Sequence, residues 1–248
     1  MRLAIMQPYF FPYVGYFQAI HAVDKYILYE NLDYIKEGWM HRNRILSVAG
    51  KPQYIGVQLD GKSSNAKIRD IRLNSSLVWR RKLKNAFFLN YKRAAYFDET
   101  FPLLEKLIDH DTEFLHQYNC AGIIAFCRHI GIDTEIVSDN GKYRALENEL
   151  DALYENNSDR KPEKKVERVL RMCKEEGATD FINAIGGQQL YRKEVFLQKD
   201  ISLHFVETGQ IRYRQFSDDF CPNLSIIDIL MHNGVKNTHS LILQYKLI

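Results

Sequence analysis

The first stretch of the chain carries its clearest alternation of apolar and polar segments. Arg2 to Met6 is a short, mostly apolar run that stops at Gln7-Pro8; Pro12 and Gly15 punctuate the next segment, and Asp24-Lys25 lead into a second apolar run, Tyr26 to Tyr29. That order predicts strand, turn, helix, strand. Pro8 has no amide hydrogen to give a sheet, so the strand ends there, and Gly15 permits close approach to the backbone where the helix begins.

Further strands are predicted at Gln53 to Leu59, Lys67 to Leu73, Asp133 to Ser138, Thr179 to Asn183, Ser202 to Val206 and Ile211 to Arg214, with a turn-rich loop at Asp60 to Asn65. From residue 76 to 130 strand signals are absent and the pattern turns helical. Ser75 or Ser76 can cap it, and Leu77, Trp79, Leu83, Phe87 and Phe88 form an apolar stripe opposite Arg80, Arg81, Lys82, Lys84, Lys92 and Arg93. A helix over about 158–176 stops at Gly177, and a last one is capped by Asn223 and stopped by Gly234. The pattern therefore predicts an α/β fold with a mostly parallel sheet and flanking helices. It is read as a single domain over 1–248, with residues 76–130 a helical insertion within it.

Composition narrows the function classes. A formal charge of +3 and a pI near 8.5 are too mildly basic to argue for nucleic acid by themselves, and suit a phosphorylated small substrate equally well. No run of 18 apolar residues and no signal-like N-terminus occurs, so no membrane is expected and the expected location is cytoplasmic. Cys120, Cys127, Cys173 and Cys221 are scattered without a CxxC pair, so no metal site is expected. Neither GxxxxGK[ST] nor GxGxxG is present.

Candidate chemistry gathers where apolar segments end. Gln7, Tyr9 and Gly15 follow the first strand. Trp39, His41, Arg42, Asn43 and Arg44 crowd cationic, amide and aromatic groups together, with the arginine forks suited to phosphate or carboxylate. Arg42 and Arg44 facing solvent on an edge strand is the competing reading. Asn183, Gly186, Gly187 and Tyr191 close another strand, at the carboxyl end of a sheet, where open α/β folds place ligands. Asn223, Ser225, Asp228 and His232 belong to the last helix. Asp228 and His232, four apart, share a face and can form an acid/base pair, with His41 a further catalytic candidate.

MQPYFFPYVGYF, GWMHRNRI, FINAIGGQQLY and CPNLSIIDILMHNG, in that order, resemble the WbqC-like family of bacterial proteins over essentially the whole chain. The resemblance implies surface-polysaccharide (O-antigen) biosynthesis. The step it suggests is attachment of an acyl or aminoacyl group, such as glycine, to the amine of a nucleotide-linked amino sugar. A non-catalytic nucleotide-sugar or glycan-binding protein is one alternative. Aminoacyl transfer from tRNA, using the basic helix near 79–93, is another and is less favoured. The opening unit also looks like that of nucleotidylyltransferase or Rossmann-like folds, which makes ATP a candidate cofactor; Tyr13-Val14-Gly15-Tyr16 stands where such folds carry a histidine-bearing turn.

Overall fold

The computed structural model describes residues 1–61, 66–155, 160–217 and 219–248. Part of the loop read at 60–65 and the start of the helix read at 158–176 lie outside them.

A six-stranded sheet forms the centre: β1 (Arg2–Met6), β2 (Lys25–Leu28), β5 (Glu135–Val137), β6 (Asp180–Ala184), β7 (Ser202–Thr208) and β8 (Tyr245–Leu247), in the order β5-β2-β1-β6-β7-β8. All neighbours run parallel except β7 and β8. β3 (Arg42–Leu46) and β4 (Pro52–Gly56) form a separate antiparallel hairpin. Eight α-helices occur among the described residues: α1 (Val14–His21), α2 (Val78–Tyr91), α3 (Phe97–Ile108), α4 (Leu115–Ile130), α5 (Arg144–Tyr154), α6 (Lys161–Glu176), α7 (Lys193–Leu197) and α8 (Ile226–Ile242). The fold is α/β.

The central strands read as near-continuous apolar runs because both sheet faces are covered. Ala4, Tyr26, Leu28, Ile182 and Val206 point into one core, with α1, α2, α4 and α8; Leu3, Ile27, Phe181, Leu203 and Phe205 point into the other, with α6 and α7. The 76–130 stretch is three helices packed into the first core. No described helix is long and apolar enough to cross a membrane.

Some local expectations change. The alternation at 67–73 folds as a 3-10 turn, Ile68–Asp70, with isolated bridges Leu59 to Leu73 and Arg72 to Phe114. Residues 211–214 are extended without a ladder partner, because Tyr213 packs toward α8 and not into the sheet. The cap of α8 is Ser225, whose oxygen accepts from the Ile227 amide at 3.3 Å. Gly234 interrupts α8 without ending it: at φ 66° and ψ −179° it breaks the helix, which resumes to Ile242.

The topology fixes where a ligand belongs. From β1 the chain proceeds to β2 and β5 on one side, then crosses to β6 and β7 on the other. The strand order reverses between β1 and β6, and a crevice opens beyond their carboxyl ends.

Candidate functional site

The loop leaving β1, residues 8–13, lies at that crevice. Its carbonyls cannot enter a ladder, and side-chain amides from distant elements take their place. Asn119 of α4 donates to the Pro8 carbonyl (2.8 Å) and the Met40 carbonyl (2.7 Å). Asn43 of β3 donates to Phe10 (3.0 Å) and Phe11 (2.8 Å), and Ser225 donates to Phe11 (2.8 Å). The Phe10 amide donates to the Trp39 carbonyl at 2.9 Å. Phe11, at φ 41°, is held in a left-handed conformation while 3 % exposed. A backbone clamped on this many sides holds Tyr9, Pro12 and Tyr13 in fixed positions.

Those three residues, with Trp39, Asn43, Arg44, Ile185, Thr208 and Asn223, line a cavity of about 460 Å³. Period-two geometry on β3 turns Asn43 inward and Arg42 and Arg44 to the opposite face. Only Arg44 reaches this cavity: its guanidinium lies 5.7 Å from the Trp39 ring centre and donates to the Asn223 carbonyl at 3.4 Å. Arg42 instead donates to the Glu37 carbonyl at 2.5 Å and stacks 4.9 Å from the Tyr54 ring.

A second cavity of about 350 Å³ shares Thr208 and Asn223 with the first. It shares Arg212, Tyr213 and Phe220 with a third, of about 760 Å³, whose walls include Arg93, Arg214, Gln215, Phe216 and His232. Through these shared residues the three cavities adjoin one another along the segment joining β7 to α8.

Behind the largest cavity sits Asp228, with no exposure. Its carboxylate accepts from the Tyr91 hydroxyl (2.6 Å), the Tyr213 hydroxyl (2.7 Å) and the Gln215 amide (3.1 Å). Burial, and then the Asp228 charge, push the Tyr91 and Tyr213 phenols up, so both stay protonated and donate. Gln215 also grips the backbone of Cys221 in both directions, at 2.8 and 3.0 Å, which fixes the 213–221 segment over the helix. The His232 ring faces Phe216 (4.6 Å between ring centres); its Nε2, 4.0 Å from an Asp228 oxygen, has no hydrogen-bond partner among the described residues. Burial lowers its pKa, opposed by Asp228, so the imidazole is neutral near pH 7.

The sequence-derived candidates divide. The structure brings Tyr9, Asn43, Arg44 and Asn223 to the first cavity and His232, with Asp228 beneath it, to the largest. Asn43 and Ser225 have their polar atoms committed to the backbone. Gln7 takes the Tyr16 hydroxyl on its main-chain carbonyl, at 2.8 Å. Gly15 is needed by Tyr13: a Cβ there would meet the Tyr13 ring at 2.5–2.7 Å, so the chain's own phenol covers the start of α1. Asn183 folds over Gly187 and caps its own strand end through the Ala184 amide, while Gly186 faces open space. Tyr191 packs edge-on against Phe181 and Phe196 in the second core, where burial pushes its phenol up to about 12. His41 lines none of the three cavities; its Nδ1 pairs with the Tyr34 hydroxyl at 2.7 Å. The Cys221 thiol is pushed up by burial, which disfavours the nucleophilic thiolate.

Sequence reasoning missed Tyr91 and Gln215 as site residues, placed Arg93 only on the basic face near 79–93, and named Arg212 and Arg214 only in passing as part of a strand. The available signal was the Arg212-Tyr213-Arg214-Gln215 alternation ahead of the last helix. On α2, part of the basic face is already occupied: Arg80 donates to the Ile108 and His110 carbonyls, and Lys84 pairs with Asp109 at 2.6 Å. Among the described residues no group of three or more His, Cys, Asp or Glu side chains is arranged to hold a metal ion.

The family model of the WbqC-like protein family matches residues 7–240, so the chain belongs to that family. It is similar to "Uncharacterized protein Rv1507c" of Mycobacterium tuberculosis, at 28 % identity over 238 residues, covering 95 % of each chain. No solved structure matches.

Proposed function

We propose that this WbqC-like family member is an enzyme of bacterial surface-polysaccharide (O-antigen) synthesis that joins an acyl or aminoacyl group, such as glycine, to the amine of a nucleotide-linked amino sugar. The observation that carries the reading is the row of adjoining cavities that begins at the sheet's reversal point. It has an aromatic and guanidinium surface at one end (Tyr9, Trp39, Arg44) and a half-buried, neutral histidine backed by a carboxylate network at the other. Aromatic faces suit a base or sugar ring, and the neutral imidazole suits a proton acceptor.

In this reaction the sugar amine attacks the acyl carbon of an activated donor, which is an adenylate made with ATP, a thioester or an aminoacyl ester. The C–N bond forms, the bond from the acyl carbon to the leaving group breaks with its electron pair, and the amine proton passes to His232. Asp228, with its oxygens filled by three donors, is suited to stabilise the resulting imidazolium from beneath, not to touch substrate. Arg80 and Lys84 are already engaged, which leaves fewer cations on α2 for a tRNA.

The test supplies dTDP- and UDP-linked amino sugars with glycine plus ATP, acyl-CoA or charged tRNA in separate reactions, read by intact mass. A product heavier by one acyl or glycyl group identifies the donor. Sugar-nucleotide binding without mass change under any donor would replace this reading with that of a non-catalytic binding protein.

A further inference from the structure

The largest cavity contains a cation cluster that neither the family match nor the catalytic reading accounts for. Arg93, just past the end of α2, lines the same cavity of about 760 Å³ as Arg212 and Arg214 of the β7–α8 segment. None of these three guanidiniums makes a hydrogen bond or ion pair with a described residue. The remaining contact is Arg212 against the Phe220 ring, at 5.7 Å. Arg42 and Arg44, by contrast, already donate to backbone carbonyls.

The reason lies in the local fold. Tyr213 and Gln215 are drawn inward by Asp228, which leaves the intervening Arg212 and Arg214 together on the opposite side. The same cavity is lined by His232, whose side chain is 7 % exposed and whose Nε2, 4.0 Å from an Asp228 oxygen, has no hydrogen-bond partner among the described residues. Three like charges lining one cavity, with no counterion among the described residues, repel one another; that arrangement is stabilised when an anion of matching charge arrives.

We infer that the Arg93, Arg212 and Arg214 cleft is a binding site for adjacent phosphates, the diphosphate of a nucleotide. A single carboxylate is satisfied by one guanidinium fork, whereas two linked phosphates present enough oxygens for three. The diphosphate of the sugar nucleotide and the polyphosphate of an ATP co-substrate share this chemistry. The inference deepens the amide-forming reading by placing phosphate away from the β3 arginines, and its test does not depend on turnover.

The experiment is calorimetric titration of the full chain with uridine, UDP, thymidine, dTDP and ATP, at low and at physiological salt. Each diphosphate is expected to bind at least tenfold tighter than its nucleoside, with the gap narrowing as salt rises. Arg93→Gln, Arg212→Gln and Arg214→Gln should each cut that nucleoside-to-diphosphate ratio by roughly ten- to a hundredfold, the scale of a lost charge-assisted contact. The corresponding lysine variants should recover part of it. Arg128→Gln, exposed near the end of α4 and lining none of the three cavities, should leave the ratio unchanged. Preference for UDP or dTDP assigns the cleft to the sugar nucleotide, and preference for ATP to the co-substrate. Diphosphates binding no tighter than nucleosides, or a ratio that collapses in Arg44→Gln and survives in folded Arg212→Gln, would overturn the inference. Turnover without diphosphate selectivity would overturn it while leaving the amide reading intact.

Discussion

Asn43 stands in an RNR triplet that reads as ligand-binding, yet its amide spends both ends on backbone. It donates to Phe10 and Phe11 and accepts from the Arg44 amide at 2.8 Å. Asn43→Ala strips the Phe10 carbonyl of its side-chain donor and leaves the Phe11 carbonyl with Ser225 alone. The expected loss is about 1–3 kcal/mol of stability, seen as a lower urea midpoint at unchanged slope. Titration behaviour also belongs to single residues. Burial lowers His21, His41, His116 and His232 from the ordinary value of 6.5. Each is held neutral in the fold and gains its proton more readily when unfolded. Their contribution is complete above pH 6.5 and falls as pH drops from there toward the lower folded values. Thermal midpoints measured from pH 8 to 5 should therefore decline below about 6.5. His232→Gln should flatten part of that decline.

Among the elements, α8 matters most to the site because it is broken. Gly234 adopts a conformation available essentially to glycine alone, and a Cβ there would meet the Tyr96 ring at 2.5 Å. After the break, Glu99 accepts from the Val235 amide at 3.1 Å, serving the new helix start from another element. The first segment, carrying Asp228 and His232, is thus set independently of the second, which packs under α1. Gly234→Ala combines backbone strain with a clash. A loss of roughly 2–4 kcal/mol is expected, measured by chemical denaturation, with diphosphate affinity falling as His232 shifts. The β7–α8 segment teaches a complementary point. Its alternation is real, but what it reports is burial against Asp228, and period two alone does not distinguish a strand from an extended cover.

At the scale of the whole molecule, the parallel core was legible because the strands buried on both faces (Leu3 to Met6, Tyr26 to Leu28, Phe181 and Ile182) leave apolar runs that few other structures produce. The first cavity was partly legible too, since Tyr9, Asn43 and Asn223 end apolar segments. The arginine cleft was not: Arg93 and Arg212 are brought together only when α2 packs near α8, a contact no local pattern encodes. β8 and α5 escaped for similar reasons, being short or held by tertiary contacts. Glu176 ties α6 to Lys25 of β2 and to Lys142 and Tyr143. Burial alone would raise its pKa, but hydrogen bonds from Lys142, Tyr143 and Lys25 hold it at about 2. Its contribution is complete above the ordinary 4.5 and lost as pH falls toward 2, so Glu176→Gln should be less stable than the parent at pH 6 and converge with it near pH 2. Both outer strands, β5 and β8, are three residues long and carry Glu135 and Lys246. Stubby, charged edges give a second copy no template for extending the central sheet, so self-association at high concentration is expected to use other surfaces, such as the exposed Leu77, Phe88 and Leu89 around α2.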